Sequence, residues 1–137
     1  MADKIRRVDY FYVEVPDQPG AAAPVLAKLK DNGINLLAFL AFPSANGKSQ
    51  LDFIPENPDV FSKALKSQNI TASSRKQAIY VQGQDRVGAV ADIHARLAEA
   101  RINVRAASAC AAPGGSYGMV LWVAPDKIDA AVKALGG

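Results

Sequence analysis

Tyr12-Val13-Glu14-Val15-Pro16-Asp17-Gln18-Pro19-Gly20 and, 68 positions on, Tyr80-Val81-Gln82-Gly83-Gln84-Asp85-Arg86-Val87-Gly88 are the two stretches that decide the fold. Each runs from a β-rich apolar segment into a short polar turn that ends on glycine. The same offset carries Leu29 onto Leu97 and Ile34-Asn35 onto Ile102-Asn103. Twice that offset nearly equals the length of 137 residues, so the chain is a duplication of one supersecondary unit.

Working outward, Val8 to Val15 and Ala78 to Gln82 read as strands. After the glycine turn, Val25, Leu26 and Leu29, and then Val90, Ile93 and Leu97, recur at helical spacing. The first helix stops at Asn32-Gly33, where glycine can take a left-handed cap, whereas Ala100-Arg101 gives a weaker stop in the second copy. Ile34 to Phe42 and Ile102 to Ala111 then lead into the hairpin turns Ala45-Asn46-Gly47 and Pro113-Gly114-Gly115. Returning strands Ser49 to Ile54 and Tyr117 to Val123 precede second helices that open at Pro58-Asp59 and Pro125-Asp126, where proline is preorganised for a first turn. The unit is βαββα.

Copy one continues through Ile70 to Ser74, a candidate fourth strand, while copy two stops at Gly137. The expected fold class is α+β: ferredoxin-like βαββαβ units in tandem, residues 1–75 and 76–137, each an antiparallel sheet with helices on one face. The second unit lacks its last strand or takes one from elsewhere. Exposed edges invite pairing, so the open edge predicts a homodimer or larger assembly.

Composition limits the function. Hydrophobic residues make up 50% of the chain and charged ones 21%, a balance that supports a packed core. A single cysteine, Cys110, excludes an internal disulfide, and with no signal peptide the expected location is cytoplasmic. Ile34 to Phe42 is too short for the roughly 20 apolar residues of a membrane span. The net charge of +3 is scattered, with no basic stripe to follow a nucleic-acid backbone.

The unit order, the loop Pro16 to Gly20 and the Gly33-Ile34-Asn35-Leu36 that closes the helix resemble the ACT family. Copy two repeats the pattern in Gly83 to Gly88 and in Ile102-Asn103-Val104. The resemblance covers nearly the whole chain. It implies a regulatory module, without catalytic residues or cofactor, that binds an amino acid or similar small ligand where two units lie side by side. The loops Asp17, Gln18, Pro19, Gly20, Ala21 and Asp85, Arg86, Val87, Gly88, Ala89 would hold the carboxylate by backbone amides. Asn103-Val104 would complete the first site and Asn35-Leu36 the second. Aspartate stands where some members have asparagine, which favours a ligand amino group but opposes a nearby carboxylate. The residues themselves allow this role, because a glycine admits close approach to the backbone and a helix N-terminus attracts anions. They also allow a purely structural one: Asp17 and Asp85 as helix N-caps, the glycines as close packing points, the asparagines as turn residues.

Other chemistry fits poorly. Asn46-Gly47-Lys48-Ser49 imitates the end of a phosphate-binding loop, but a strand follows where a helix is needed. Val81-Gln82-Gly83 resembles the opening of an acylphosphatase loop, yet Arg86 falls one residue early and Val87 holds the required place. His94, the only histidine, has no partner for a metal site and reads as a solvated or half-buried helix residue. Cys110 reads as an inert core thiol, and Tyr117 and Trp122 as core. Two functions therefore stand side by side: a ligand-sensing regulator, and an interaction or assembly module acting on a partner enzyme or transcriptional regulator.

Overall fold

A computed structural model describes residues 3–137. Its contacts divide the chain into one unit of Asp9–Lys76 and another that joins Met1–Val8 to Gln77–Gly137. Each is a ferredoxin-like α+β unit, and residues 3–8 group with the second copy rather than the first.

In the first unit, strand β1 (Lys4–Pro16, of which the part from Asp9 lies here) is followed by α1 (Ala23–Asp31), β2 (Leu36–Pro43), β3 (Lys48–Pro55) and α2 (Pro58–Ser67). β3 pairs antiparallel with both β1 and β2, with Phe11 opposite Phe53 and Ala41 opposite Leu51. Alternation along β1 sends Phe11, Val13 and Val15 to the helix side, where they meet Leu29 of α1 and Phe61, Ala64 and Leu65 of α2. Phe61 stacks at a tilt on Phe11 and Phe53, with centroids 4.9 and 5.5 Å away. α2 starts where the sequence places it: the Asn57 side chain accepts from the amides of Asp59 and Val60, and Pro58 follows. The segment after α2 pairs within this unit. Ser73 N–H donates to the Tyr12 carbonyl (2.8 Å), and Tyr12 N–H donates to Ser73 Oγ (2.9 Å).

The second unit repeats the order with β4 (Lys76–Gln84), α3 (Ala89–Glu99), β5 (Ala106–Ala112), β6 (Ser116–Trp122) and α4 (Ile128–Ala134), the last preceded by a 3₁₀ turn at Pro125–Lys127. β6 lies between β4 and β5, with Val81 opposite Met119 and Ala109 opposite the same residue. Ile79, Val81, Met119 and Leu121 pack under Ile93, Leu97, Ile128 and Ala131. No strand follows α4. The place beside β4 is taken instead by the start of β1, Lys4–Val8. Ile5 packs on the core of this unit, the Arg6 guanidinium stands 5.2 Å over the Tyr80 ring, and Arg7 pairs with Asp129 at 2.6 Å. The edge expected to lie open in copy two is therefore covered by residues of the same chain.

Two side chains differ from the sequence reading. Val90 is 40% exposed although it keeps helical spacing with Ile93. Every residue of β5 is exposed, Cys110 included, so this thiol does not belong to the core. The reason is size: Ala106-Ala107-Ser108-Ala109-Cys110-Ala111-Ala112 is apolar by composition, but its side chains are too short to reach a covering layer at the sheet edge. Tyr117 and Trp122 are buried as expected.

The cap after each first helix is also equivalent. Gly33 takes φ +71°, and at the matching position Arg101 is forced into φ +60°. The left-handed conformation costs a residue with a side chain about 1–2 kcal/mol, part of which glycine loses again through its freer unfolded state. Arg101→Gly should therefore raise the stability of the protein by about 0.5–1 kcal/mol in urea unfolding. A drop in stability would show that Arg101 makes interactions that outweigh its strain.

Candidate functional site

The two strand-to-helix loops have the same construction. Asp17 N–H donates to the Gly47 carbonyl at 2.9 Å, and Asp85 N–H donates to the Gly115 carbonyl at 2.8 Å, so each loop is pinned to the hairpin turn of its own unit. Ala21 N–H then bonds to the Gln18 carbonyl, and Ala89 N–H to that of Arg86. Gly20 and Gly88 take φ +78° and +84°. A Cβ at either glycine would meet nothing within 4 Å. Close packing therefore does not explain these glycines; the left-handed backbone does, and the space beside it stays open.

Neither aspartate caps a helix. α1 begins at Ala23 with Ala22 at its N-cap and α3 begins at Ala89 with Gly88 at its N-cap, and in both no side chain bonds the first amides. Asp17 lies too far ahead of α1 to reach them and accepts instead from the Ser49 hydroxyl at 3.0 Å. With no capping side chain, part of each first turn is left unpaired: in α1 the Ala23 amide donates to the Gly20 carbonyl at 3.3 Å and Pro24 has no N–H, which leaves the Val25 amide, and in α3 the Ala89 amide is bonded to Arg86, which leaves those of Val90 and Ala91. Asn35 is tied to Glu56: its Nδ2 donates to Oε2 and its carbonyl accepts from the Glu56 amide, both at 2.9 Å. Gln18, Pro19 and Val87 are exposed, Val87 completely. Leu36 is half-buried against the core of the first unit, and Val104 against that of the second.

In the second unit the loop residues Asp85, Arg86, Gly88 and Ala89 line a groove of about 280 Å³ between the start of α3 and β5, closed by Ala109, Cys110, Ala111 and Tyr117. Asn103 and Val104 line a different groove of about 440 Å³ farther along, with His94, Ala98 and the first alanines of β5. Within this unit, then, the loop and the asparagine do not share one cavity. Sequence reasoning missed the contribution of Cys110, Tyr117 and the alanines of β5, because small apolar residues on a strand give no sign that the strand edge is bare.

Asp3 was also not foreseen. Its carboxylate, 4% exposed, lies against Gly83, where a Cβ would collide with it and would come within 2.9 Å of the Tyr117 ring. Arg86 Nη1 donates to Asp3 Oδ1 at 3.2 Å and Nη2 to Oδ2 at 3.4 Å, while Nη2 also reaches Asp92 of α3 at 3.2 Å. Burial alone would push the Asp3 carboxyl up. The Arg86 hydrogen bonds, the neighbouring Tyr117 hydroxyl and the charges of Arg86 and Arg96 outweigh that and leave it below the ordinary carboxylate value. Burial, and then Asp3, raise the Tyr117 phenol. Among the described residues no cluster of histidine, cysteine, aspartate and glutamate could hold a metal ion, and no helix is long and apolar enough to cross a membrane.

No protein-family model and no curated protein matches the chain. Solved structures do. Protein BT0572 from Bacteroides thetaiotaomicron superposes with a TM-score of 0.83 at 18% identity, over 96% of this chain and 88% of its own. The regulatory subunits of aspartate kinase from Thermus thermophilus and Thermus flavus give TM-scores of 0.64 and 0.65 at 16% and 19% identity, over 98% of this chain and 95% of theirs. At such identities the likeness establishes the fold alone, ferredoxin-like α+β units in tandem.

The Asp3 shift makes a pH prediction. Because its folded value is depressed, Asp3 stabilises the fold fully above the unfolded carboxyl value, and that contribution is lost as pH falls through the folded value. Asp3→Asn should lower the urea midpoint at neutral pH, and the gap from the parent should be smaller at an acidic pH below the ordinary carboxylate value. An equal gap at both pH values would contradict the assignment.

Proposed function

We propose that the protein is a non-catalytic regulator that binds a small carboxylate-bearing ligand, an amino acid, at its strand-to-helix loops. The observation that carries this reading is the repeated left-handed glycine with open space beside it, leading into a helix whose first amides no side chain caps. Donors of this kind favour an anion. The fold shared with regulatory subunits of aspartate kinase supports the same reading. The ligand carboxylate would face the amides after Gly20 or Gly88, and its amino group would meet Asp17 or Asp85. In this proposal Asn103 completes the first site and Asn35 the second, and ligand binding is passed to a partner enzyme or regulator in the cytoplasm.

Assembly is part of the proposal. The edge strands β2, Leu36-Leu37-Ala38-Phe39-Leu40-Ala41-Phe42-Pro43, and β5 carry no charged residue, and Phe39 and Phe42 are 39% and 40% exposed. Uncharged edges lack the usual protection against pairing, so a homodimer or larger assembly is expected. A second reading, an assembly module that binds no ligand, rests on these same edges.

A thermal-shift screen against the twenty amino acids separates the two. At about 100 times its dissociation constant a true ligand adds roughly 2.7 kcal/mol of stability. Asn35→Ala and Asn103→Ala should then weaken binding by more than they lower the melting temperature of the free protein. Absence of any shift, or unchanged affinity in both variants by calorimetry, would contradict the sites as described. For assembly, sedimentation velocity at micromolar concentration should give a dimer or larger species, and a monomer would contradict it.

A further inference from the structure

Asp3 and Arg86 form the most heavily connected polar cluster of the second unit, and no ligand is needed to explain why they meet. A carboxylate that is 4% exposed is unfavourable unless it is paired, and this one receives a two-point contact from a planar guanidinium. Arg86 is in turn spanned by three acceptors: Asp3, Asp92 in the first turn of α3, and the Gln84 carbonyl at 3.3 Å. Its hydrogen bonds to Asp3 and Asp92 hold the guanidinium firmly in its charged form. It therefore lies across the base of the loop instead of reaching into the groove as a free cation.

The cluster belongs to one copy only. At an offset of 68, Asp3, Gly83, Arg86, Asp92 and Tyr117 correspond to Thr71, Val15, Gln18, Pro24 and Ser49. None of these five can carry a charge, and Val15 bears a core side chain where Gly83 has none. The first loop uses a different bond, from Ser49 to Asp17. The second loop has thus acquired a set of residues that ties it to the segment just ahead of Lys4–Val8, the strand segment that completes its unit.

We infer that Asp3 is a positioning residue for the Asp85–Ala89 loop: it holds Arg86 across the loop and thereby couples the loop's conformation to the docking of Lys4–Val8 beside β4. A movement of the loop must either carry Asp3 with it or leave a buried carboxylate unpaired. Whatever shifts the loop is consequently felt at the start of β1. This coupling does not depend on which ligand the loop takes.

Hydrogen exchange read by mass spectrometry tests it on the full chain. A charged hydrogen bond of this kind corresponds to roughly tenfold or more in a local opening equilibrium. In Asp3→Asn and in Arg86→Gln, exchange should rise about tenfold both at residues 4–8 and at 85–89, with the rest of the chain unchanged. The double variant should not exceed Arg86→Gln appreciably, since that variant already removes both hydrogen bonds to Asp3 together with those to Asp92 and Gln84. Asp3→Glu, which keeps the charge, should restore most of the protection at both segments, an effect that mere occupancy of space by residue 3 would not produce. Additive effects in the double variant, a rise at only one of the two segments, failure of Asp3→Glu to restore protection, or loss of protection throughout the chain would each overturn the coupling.

Discussion

The turn from strand to helix is the constraint on which both units rest. Each unit must bring its first helix back over the sheet within a few residues of the end of its first strand, and it does so by placing one glycine in the left-handed region, at Gly20 and Gly88. That conformation fixes where the helix starts, leaves its first amides without capping side chains, and keeps the surface beside the glycine open. Core packing follows from the same turn, because it aims Leu29 in one unit, and Ile93 and Leu97 in the other, at the helix-facing rows of the strands. A structural requirement and a binding surface are thus met by the same few atoms.

Around this shared turn the two copies have diverged. The first loop is neutral apart from Asp17, which is held by a hydroxyl, and its helix has no acid in the first turn. The second loop carries an arginine spanned by two carboxylates and is backed by a phenol whose ionisation is suppressed by burial. Duplication followed by such divergence leaves one copy with a loop governed by backbone and the other with a loop governed by a charge network. Two loops of this kind differ in what they accept and in how firmly they are held.

Much of the fold was legible in the sequence because its signals are local. Glycine at Gly33 and Gly47, proline at Pro58 and the period of Phe11, Val13 and Val15 each report on the backbone within a few residues. What was not legible depends on distance along the chain or on size. Ile5 and Arg6 read as the start of the first copy, and only the position beside β4 shows that they complete the second. Asp3 meets Arg86 across 83 positions of sequence, with no pattern to announce the pair. Capping by Asp17 was a sound expectation until the helix was seen to start at Ala23. β5 has the composition of a buried strand but not the side-chain volume, so Cys110 stands in a groove and not in a core. Of the candidate site, the two glycine loops were readable from their spacing, whereas the groove beside the second was not.

The most direct measurement is an amide NMR titration of the ¹⁵N-labelled protein with the amino acid that stabilises it most. The account predicts saturable shifts of the amides in the first turns of α1 or α3, next to Gly20 or Gly88, as a carboxylate takes up the unpaired donors. Saturable shifts confined to residues away from both loops, with those first-turn amides unmoved, would contradict it.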